Sequence, residues 1–239
     1  MRLTILLGVA LTAAGTLANG ASATTSLCLA AKAPVEADAK LAMAVEAALG
    51  TVAYDATAAD CQYPLKLLRY ASADVLLTQD GVPGQGCAQC GALLSAVVIQ
   101  RLNGAMNPVA RFREFAKLGA FGQVADLTPI TIDGDDAFVA ESEANADGRR
   151  TTRLDFFAFH GGALTDLDPT PQVVIVTDGA MDAPSVKATW FFDPIDKTSL
   201  VVDYKIESKG ESRIARAVWR LQAGHLTLAR GKPPPETAR

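Results

Sequence analysis

Histidine is almost missing from this sequence: only His160 and His225 occur in 239 residues. That scarcity limits the metal sites and the acid–base chemistry available. Neither histidine has a carboxylate placed beside it for a nucleophile–base relay, and no G-x-S-x-G elbow occurs, so a serine hydrolase is not indicated. Positive charge is short as well. The 22 Lys and Arg against 26 Asp and Glu give a net charge of −4, which argues against nucleic-acid binding as a global role, because phosphate affinity needs concentrated cations. Beyond residue 23 no apolar run approaches the roughly 20 residues that cross a bilayer. No cofactor motif is found.

The first residues hold what the remainder lacks. Arg2 supplies a positive start, Leu3 to Leu17 is apolar apart from Thr and Gly, and Ala21-Ser22-Ala23 places small residues at a cleavage site. That order predicts a signal peptide over residues 1–23. Leu27 precedes Cys28, and a lipoprotein would need a small residue there. The expectation is a soluble product, periplasmic or secreted, with no membrane span after cleavage.

In such a compartment the four cysteines should be oxidised. Cys28 and Cys61 flank a helical segment, and Cys87 and Cys90 form a C-x-x-C. Three pairings are possible, and the sequence does not choose among them. Cys28–Cys61 with Cys87–Cys90 is preferred; the first bridge would close a long loop and stabilise by roughly 3–4 kcal/mol.

Pro34 to Leu49 reads as a helix, with Leu41, Val45 and Leu49 on one face and Gly50 at its end. From Pro64 onward the period changes to two. Val202, Tyr204 and Ile206 alternate with Asp203, Lys205 and Glu207. Ala215, Ala217, Trp219 and Leu221 do the same, as do Val186, Ala188, Trp190 and Phe192. Turn pairs separate these runs: Asn103-Gly104, Asp133-Gly134, Gly161-Gly162, Asp178-Gly179 and Ala223-Gly224. Leu154 to Phe159 and Val173 to Val176 are apolar on both faces and should be covered on both sides. The expected fold is mainly β, an antiparallel meander forming a sandwich or barrel-like body, with a short N-terminal helix. Its expected parts are the signal peptide (1–23), a helical segment (24–62), a β-rich domain (63–231) and a disordered tail (232–239). Residues 92–118 are ambiguous: β-branched Val97, Val98 and Ile99 with Asn103-Gly104 favour a β-hairpin, while Asn107-Pro108 and Gly119 would suit an αα-hairpin.

The segments Phe156-Phe157-Ala158-Phe159-His160-Gly161-Gly162-Ala163-Leu164 and Trp219-Arg220-Leu221-Gln222-Ala223-Gly224-His225-Leu226 share a strand–glycine turn–strand form. In this the stretch from Gly119 to Gly231 resembles uncharacterised exported β-rich bacterial proteins with repeated hairpins. The resemblance implies a strand reading for Ala92 to Arg113 and carries no activity or site residue.

Several side chains are candidates for a site. Cys87 and Cys90 could form a reactive pair if they began a helix, which would lower the Cys87 pKa, and Thr128-Pro129 sits about where a thioredoxin-like fold places a proline. The glycine-rich approach, residues 81–86, instead reads as a loop tightened by a local disulfide. His160 and His225 fall in turns, where histidines are usually solvated; if the two hairpins lay side by side, the pair could bind a metal or sense pH. Asp133, Asp135 and Asp136, with Asp166 and Asp168, crowd turns without EF-hand spacing. Arg101, Arg111 and Arg113 gather on one hairpin, and Arg213, Arg216 and Arg220 are read as one polar strand face that could meet an anionic ligand or simply guard an edge. The leading expectation is a non-catalytic envelope or secreted module that binds a protein, a glycan or an anionic ligand, with no cofactor and no metal. The alternative is a periplasmic thiol–disulfide oxidoreductase using Cys87 and Cys90.

Overall fold

The computed structural model describes residues 25–55, 61–87, 89–146, 149–178 and 184–237; the segment read as a signal peptide lies outside them. Strand β1 (Thr25–Cys28) leads into α1 (Lys32–Ala37) and α2 (Ala39–Leu49), and β2 (Val52–Asp55) follows. The single helix expected from Pro34 is thus two. Asp38 breaks it, with an extended backbone at φ −118° and ψ 99°. Its Oδ1 accepts the N–H of Lys40 at 2.9 Å and of Leu41 at 3.2 Å, so it caps α2. Gly50 closes α2 at φ 75°, its N–H donating to the Glu46 carbonyl.

The first sheet has the order β2-β1-β3-β4-β5-β6, with β3 at Gln62–Arg69, β4 at Asp74–Asp80, β5 at Ala92–Leu102 and β6 at Ala105–Leu118. β1 pairs in parallel with β2 and β3, and the other pairs are antiparallel. Residues 92–118 are therefore a β-hairpin. Asn103 at φ 52° and Gly104 at φ 82° make its turn, which suits the twist of the flanking strands. The described residues of the N-terminal segment do more than form helices: β1 lies between β2 and β3 in this sheet, and α1 and α2 cover one of its faces.

The second sheet contains β7 (Val124–Ile132), β8 (Asp135–Ala146), β9 (Arg149–His160), β10 (Ala163–Asp166), β11 (Val173–Asp178), β12 (Ser185–Phe192), β13 (Ser199–Ser208), β14 (Glu211–Gln222) and β15 (His225–Gly231). Its order is β15-β14-β13-β12-β11-β9-β8-β7, with β10 also on β9. The sheet curls like half a barrel. The segment after β10 draws β15 back toward β9: Leu167 N–H donates to the Phe156 carbonyl, Thr170 N–H to Leu226, and Leu226 N–H to Leu167. Of the expected tail, residues 232–237 are described. Pro235–Thr237 form a 3-10 turn with Thr237 buried.

Three cores follow from this layering. Leu27, Leu41, Val45, Leu76, Val97 and Ile99 fill the space between the helices and the first sheet. Leu68, Leu77, Leu94, Phe138 and Phe157 lie between the two sheets. Phe156, Val173, Val202, Tyr204, Ala217 and Trp219 fill the hollow of the curled sheet. Neighbouring residues of β8 and β9 serve different cores, Phe138 and Phe157 one and Val139 and Phe156 the other. This is why Leu154 to Phe159 is apolar on both faces.

Candidate functional site

On the helix-covered face of the first sheet, β4 contributes Leu76, Thr78 and Asp80 in alternation. The cross-strand partner of Leu76 is Val97, that of Thr78 is Ser95, and that of Asp80 is Gln62. Leu76 and Val97 lie under the helices. Past Leu49, the last residue of α2, the same face turns polar. There it lines a cavity of about 430 Å³ with Thr25, Gln62, Thr78, Asp80, Ser95, Arg111, Arg113 and Glu114. Thr78 and Ser95 are buried, which is unusual for hydroxyl side chains unless a partner or water meets them. Thr25 Oγ1 donates to the Leu49 carbonyl at 3.1 Å and fixes the helix end at the rim.

The basic wall comes from a bulge. Leu94 pairs with Ala116 and Ala96 with Phe112, so Ser95 faces three residues, Arg113, Glu114 and Phe115. Phe115 turns into the core between the sheets, edge-on to Phe157 at 5.2 Å and Phe138 at 6.1 Å. Glu114 is held at φ 48°, its N–H donating to Ser95 Oγ at 3.0 Å. A non-glycine residue in that region is strained and persists only where its surroundings impose it. Arg111 and Arg113 are exposed and make no ion pair among the described residues. Arg101 of the same hairpin differs: it pairs with the buried Asp74 at 3.2 Å.

A second cavity, about 710 Å³, shares Asp80 with the first and is lined by Cys28, Leu29, Asp55, Cys61, Val82 and Cys90 among others. The two disulfides are Cys28–Cys61 and Cys87–Cys90, so the preferred pairing is the one found. Cys28 and Cys61 are buried, while Cys87 and Cys90 are exposed. No helix begins at the C-x-x-C among its described residues, so the dipole that would activate Cys87 is not supplied. The loop instead grips the connection between the sheets. Phe121 N–H donates to the Cys87 carbonyl, Gly122 N–H to that of Cys90, and Gly86 N–H to that of Phe121. Buried Gln79 adds a tie, its Nε2 donating to the carbonyls of Gly81 at 3.2 Å and Gly122 at 2.9 Å. Pro129 lies within β7, in register with Phe138.

The other candidates are dispersed. Contrary to the reading of the sequence, His160 does have a carboxylate beside it, its Nδ1 2.8 Å from Asp135 Oδ2 across the β8–β9 pair, while His225 begins β15 opposite Gln222. Asp136 accepts from Ser72, and Asp166 accepts the Asp168 N–H. No group of His, Cys, Asp and Glu among the described residues is placed to hold a metal. Arg216 and Arg220 share one face of β14, but Arg213, an odd number of residues from both in an unbroken ladder, falls on the other. Arg216 is bidentate to Asp203, and Arg220 Nη2 meets Asp196 Oδ2 at 2.8 Å. Hydroxyl donors Thr198 and Ser199, with Arg220 beyond them, hold the Asp196 carboxyl down to about 2. Asp155 moves the other way: burial raises it, although Ser142 Oγ donates to it at 2.7 Å.

Gln62, Thr78, Asp80 and Ser95 were not legible as site residues. The available signal was that β4 and β5 pass from apolar to polar on one face without changing period. Comparison with known proteins returns no matching family model, no matching curated protein and no matching solved structure. No helix among the described residues is long and apolar enough to cross a membrane.

Proposed function

We propose that this is an exported, non-catalytic binding module of the periplasm or the secreted fraction, and that its ligand is anionic. The observation that carries the reading is the bulge cavity. Arg111 and Arg113 stand over it without carboxylate partners, and the buried hydroxyls of Thr78 and Ser95 line its interior. Guanidinium groups suit carboxylates, sulfates and phosphates because their paired N–H donors match two oxygens. A strained bulge beside such a cavity is a common way to aim side chains. The arginines of β14 support this less, since Arg216 and Arg220 already hold Asp203 and Asp196.

The test is calorimetric titration of the full chain with an acidic oligosaccharide such as a uronic-acid hexamer, and with inorganic phosphate. Arg111→Ala/Arg113→Ala should weaken whichever binds by about 10-fold or more, since each lost charge-assisted bond removes about 1.5–3 kcal/mol. Arg216→Ala/Arg220→Ala should leave that binding intact. Equal binding by the wild type and the Arg111/Arg113 variant would refute the site.

A further inference from the structure

We propose that Cys87–Cys90 is a thiol-exchanging disulfide and that the 710 Å³ groove beside it receives an apolar, cysteine-bearing segment of a partner protein. The inference is independent of the anion reading and leaves the chain non-catalytic, since one disulfide is consumed for each partner dithiol oxidised. Both disulfides border one groove, but they differ in access. Cys28 and Cys61 are 0% and 5% exposed, whereas Cys87 and Cys90 are exposed and Cys90 lines the groove. Exchange requires in-line approach of a thiolate to a sulfur, so access decides which bond reacts. The groove is mixed in character: Asp55, Asp80 and Gln85 line it, and apolar side chains stand uncovered beside them. Leu29, 49% exposed, and Val82 line the groove. Phe121, 42% exposed, adjoins the groove-lining Gly122. Its backbone sits at φ 53°, with its N–H donating to the Cys87 carbonyl. An aromatic side chain presented to solvent by a strained backbone, next to an exposed disulfide, fits a docking contact.

In the reaction, a partner thiolate attacks Cys90 Sγ. The Cys87–Cys90 bond breaks, and Cys87 leaves as a thiolate that takes a proton. The partner's second thiol then attacks the partner's own sulfur in the mixed disulfide and releases Cys90 as a thiol. Two electrons pass from the partner dithiol, which becomes a disulfide, and its two protons end on Cys87 and Cys90. The backbone bonds from Phe121 and Gly122 to the carbonyls of Cys87 and Cys90 involve no sulfur. They keep the loop in place while the pair is reduced.

The full chain is equilibrated in glutathione buffers, and free thiols are alkylated and mapped by mass spectrometry. Cys87 and Cys90 should become labelled together at ratios that leave Cys28 and Cys61 unlabelled. With oxidised glutathione, Cys90 in Cys87→Ser should form its adduct about 10-fold faster than Cys87 does in Cys90→Ser, because Cys90 faces the groove. A Leu-Cys-Leu peptide should react with the wild-type disulfide faster than glutathione does, and Phe121→Ser should remove that advantage. Resistance of Cys87–Cys90 to glutathione, or its reduction only together with Cys28–Cys61, would overturn the proposal. So would equal adduct rates at the two sulfurs, or a peptide rate that ignores Phe121. The wild-type titration does not depend on any variant folding.

Discussion

Removing the two disulfides separately should have unequal costs, and the sizes follow from how much chain each one closes. Cys28 and Cys61 are 33 residues apart, and Cys87 and Cys90 are 3 apart. If a bridge acts by restricting the unfolded chain, the first contributes about 3.7 kcal/mol and the second about 1.6 kcal/mol at 25 °C. Burial widens the gap. Cys28 and Cys61 are buried, so a serine pair there leaves hydroxyls with little access to water. Serines at Cys87 and Cys90 would face water. The assay is guanidinium unfolding of the Cys28→Ser/Cys61→Ser and Cys87→Ser/Cys90→Ser proteins at neutral pH, followed by fluorescence of Trp190 and Trp219. The first variant should lose at least twice the stability of the second. Equal losses would refute the reasoning, because they would mean that the short bridge does more than restrict the unfolded chain. A change in the denaturant slope rather than the midpoint would also count against it, since that signals an altered unfolded or partly folded state.

Two further tests probe the loop and the surface charges. A Cβ on Gly86 would lie 2.7 Å from the Gly122 nitrogen and 2.8 Å from the Phe121 carbonyl carbon. Gly86→Ala should therefore push the 81–91 loop off the sheet connection and lower stability by about 1–3 kcal/mol by chemical denaturation; an unchanged midpoint would show that the two loops do not touch in solution. Asp196 titrates near 2 in the fold against an ordinary 3.8. The folded state holds the depressed value, so its contribution is complete above pH 3.8 and fades as the pH falls through 2. Asp196→Asn should be less stable than the wild type at neutral pH and match it near pH 2, measured by urea midpoints across that range.

Strands were easy to read because alternation reports directly on a half-buried face: every second residue from Val202 to Ile206 is buried, as the pattern requires. Turns were legible where two residues with positive φ were needed, as at Asn103 and Gly104. The break at Asp38 was harder, since its side chain caps the following helix from inside what reads as one continuous helical stretch. The candidate site was largely hidden. Alternation says which residues share a face but not which strands adjoin, and the cavity needs Gln62, Thr78, Ser95 and Arg111 from four different strands. The bulge that sets Arg113 beside them depends on Phe115 finding Phe138 and Phe157 in the other sheet, a contact between distant parts of the chain. Parity alone would have separated Arg213 from Arg216 and Arg220. The pairing at Cys87–Cys90 fits short closure, whereas the shared groove of the two bridges depends on the register of the first sheet.

The segment between β10 and β11 bonds to β15 through Thr170, Leu226 and Leu228, with N–H···O distances of 2.8 to 3.0 Å. Trp219 reinforces it, its Nε1 donating to the Pro171 carbonyl at 2.9 Å. A terminal strand in an open sheet leaves a row of main-chain donors and acceptors that another copy can extend. Here part of that row is used up within the chain, by a stretch that contains two prolines and so offers fewer donors of its own. The arrangement also sets an order of assembly. The seam cannot form until residues 226–228 have been synthesised, so β9 through β14 must wait with their hollow uncovered. A chain shortened before Leu226 would keep its first sheet intact yet expose Trp219 and the ladder of β14, and such a species is the one to expect in aggregates.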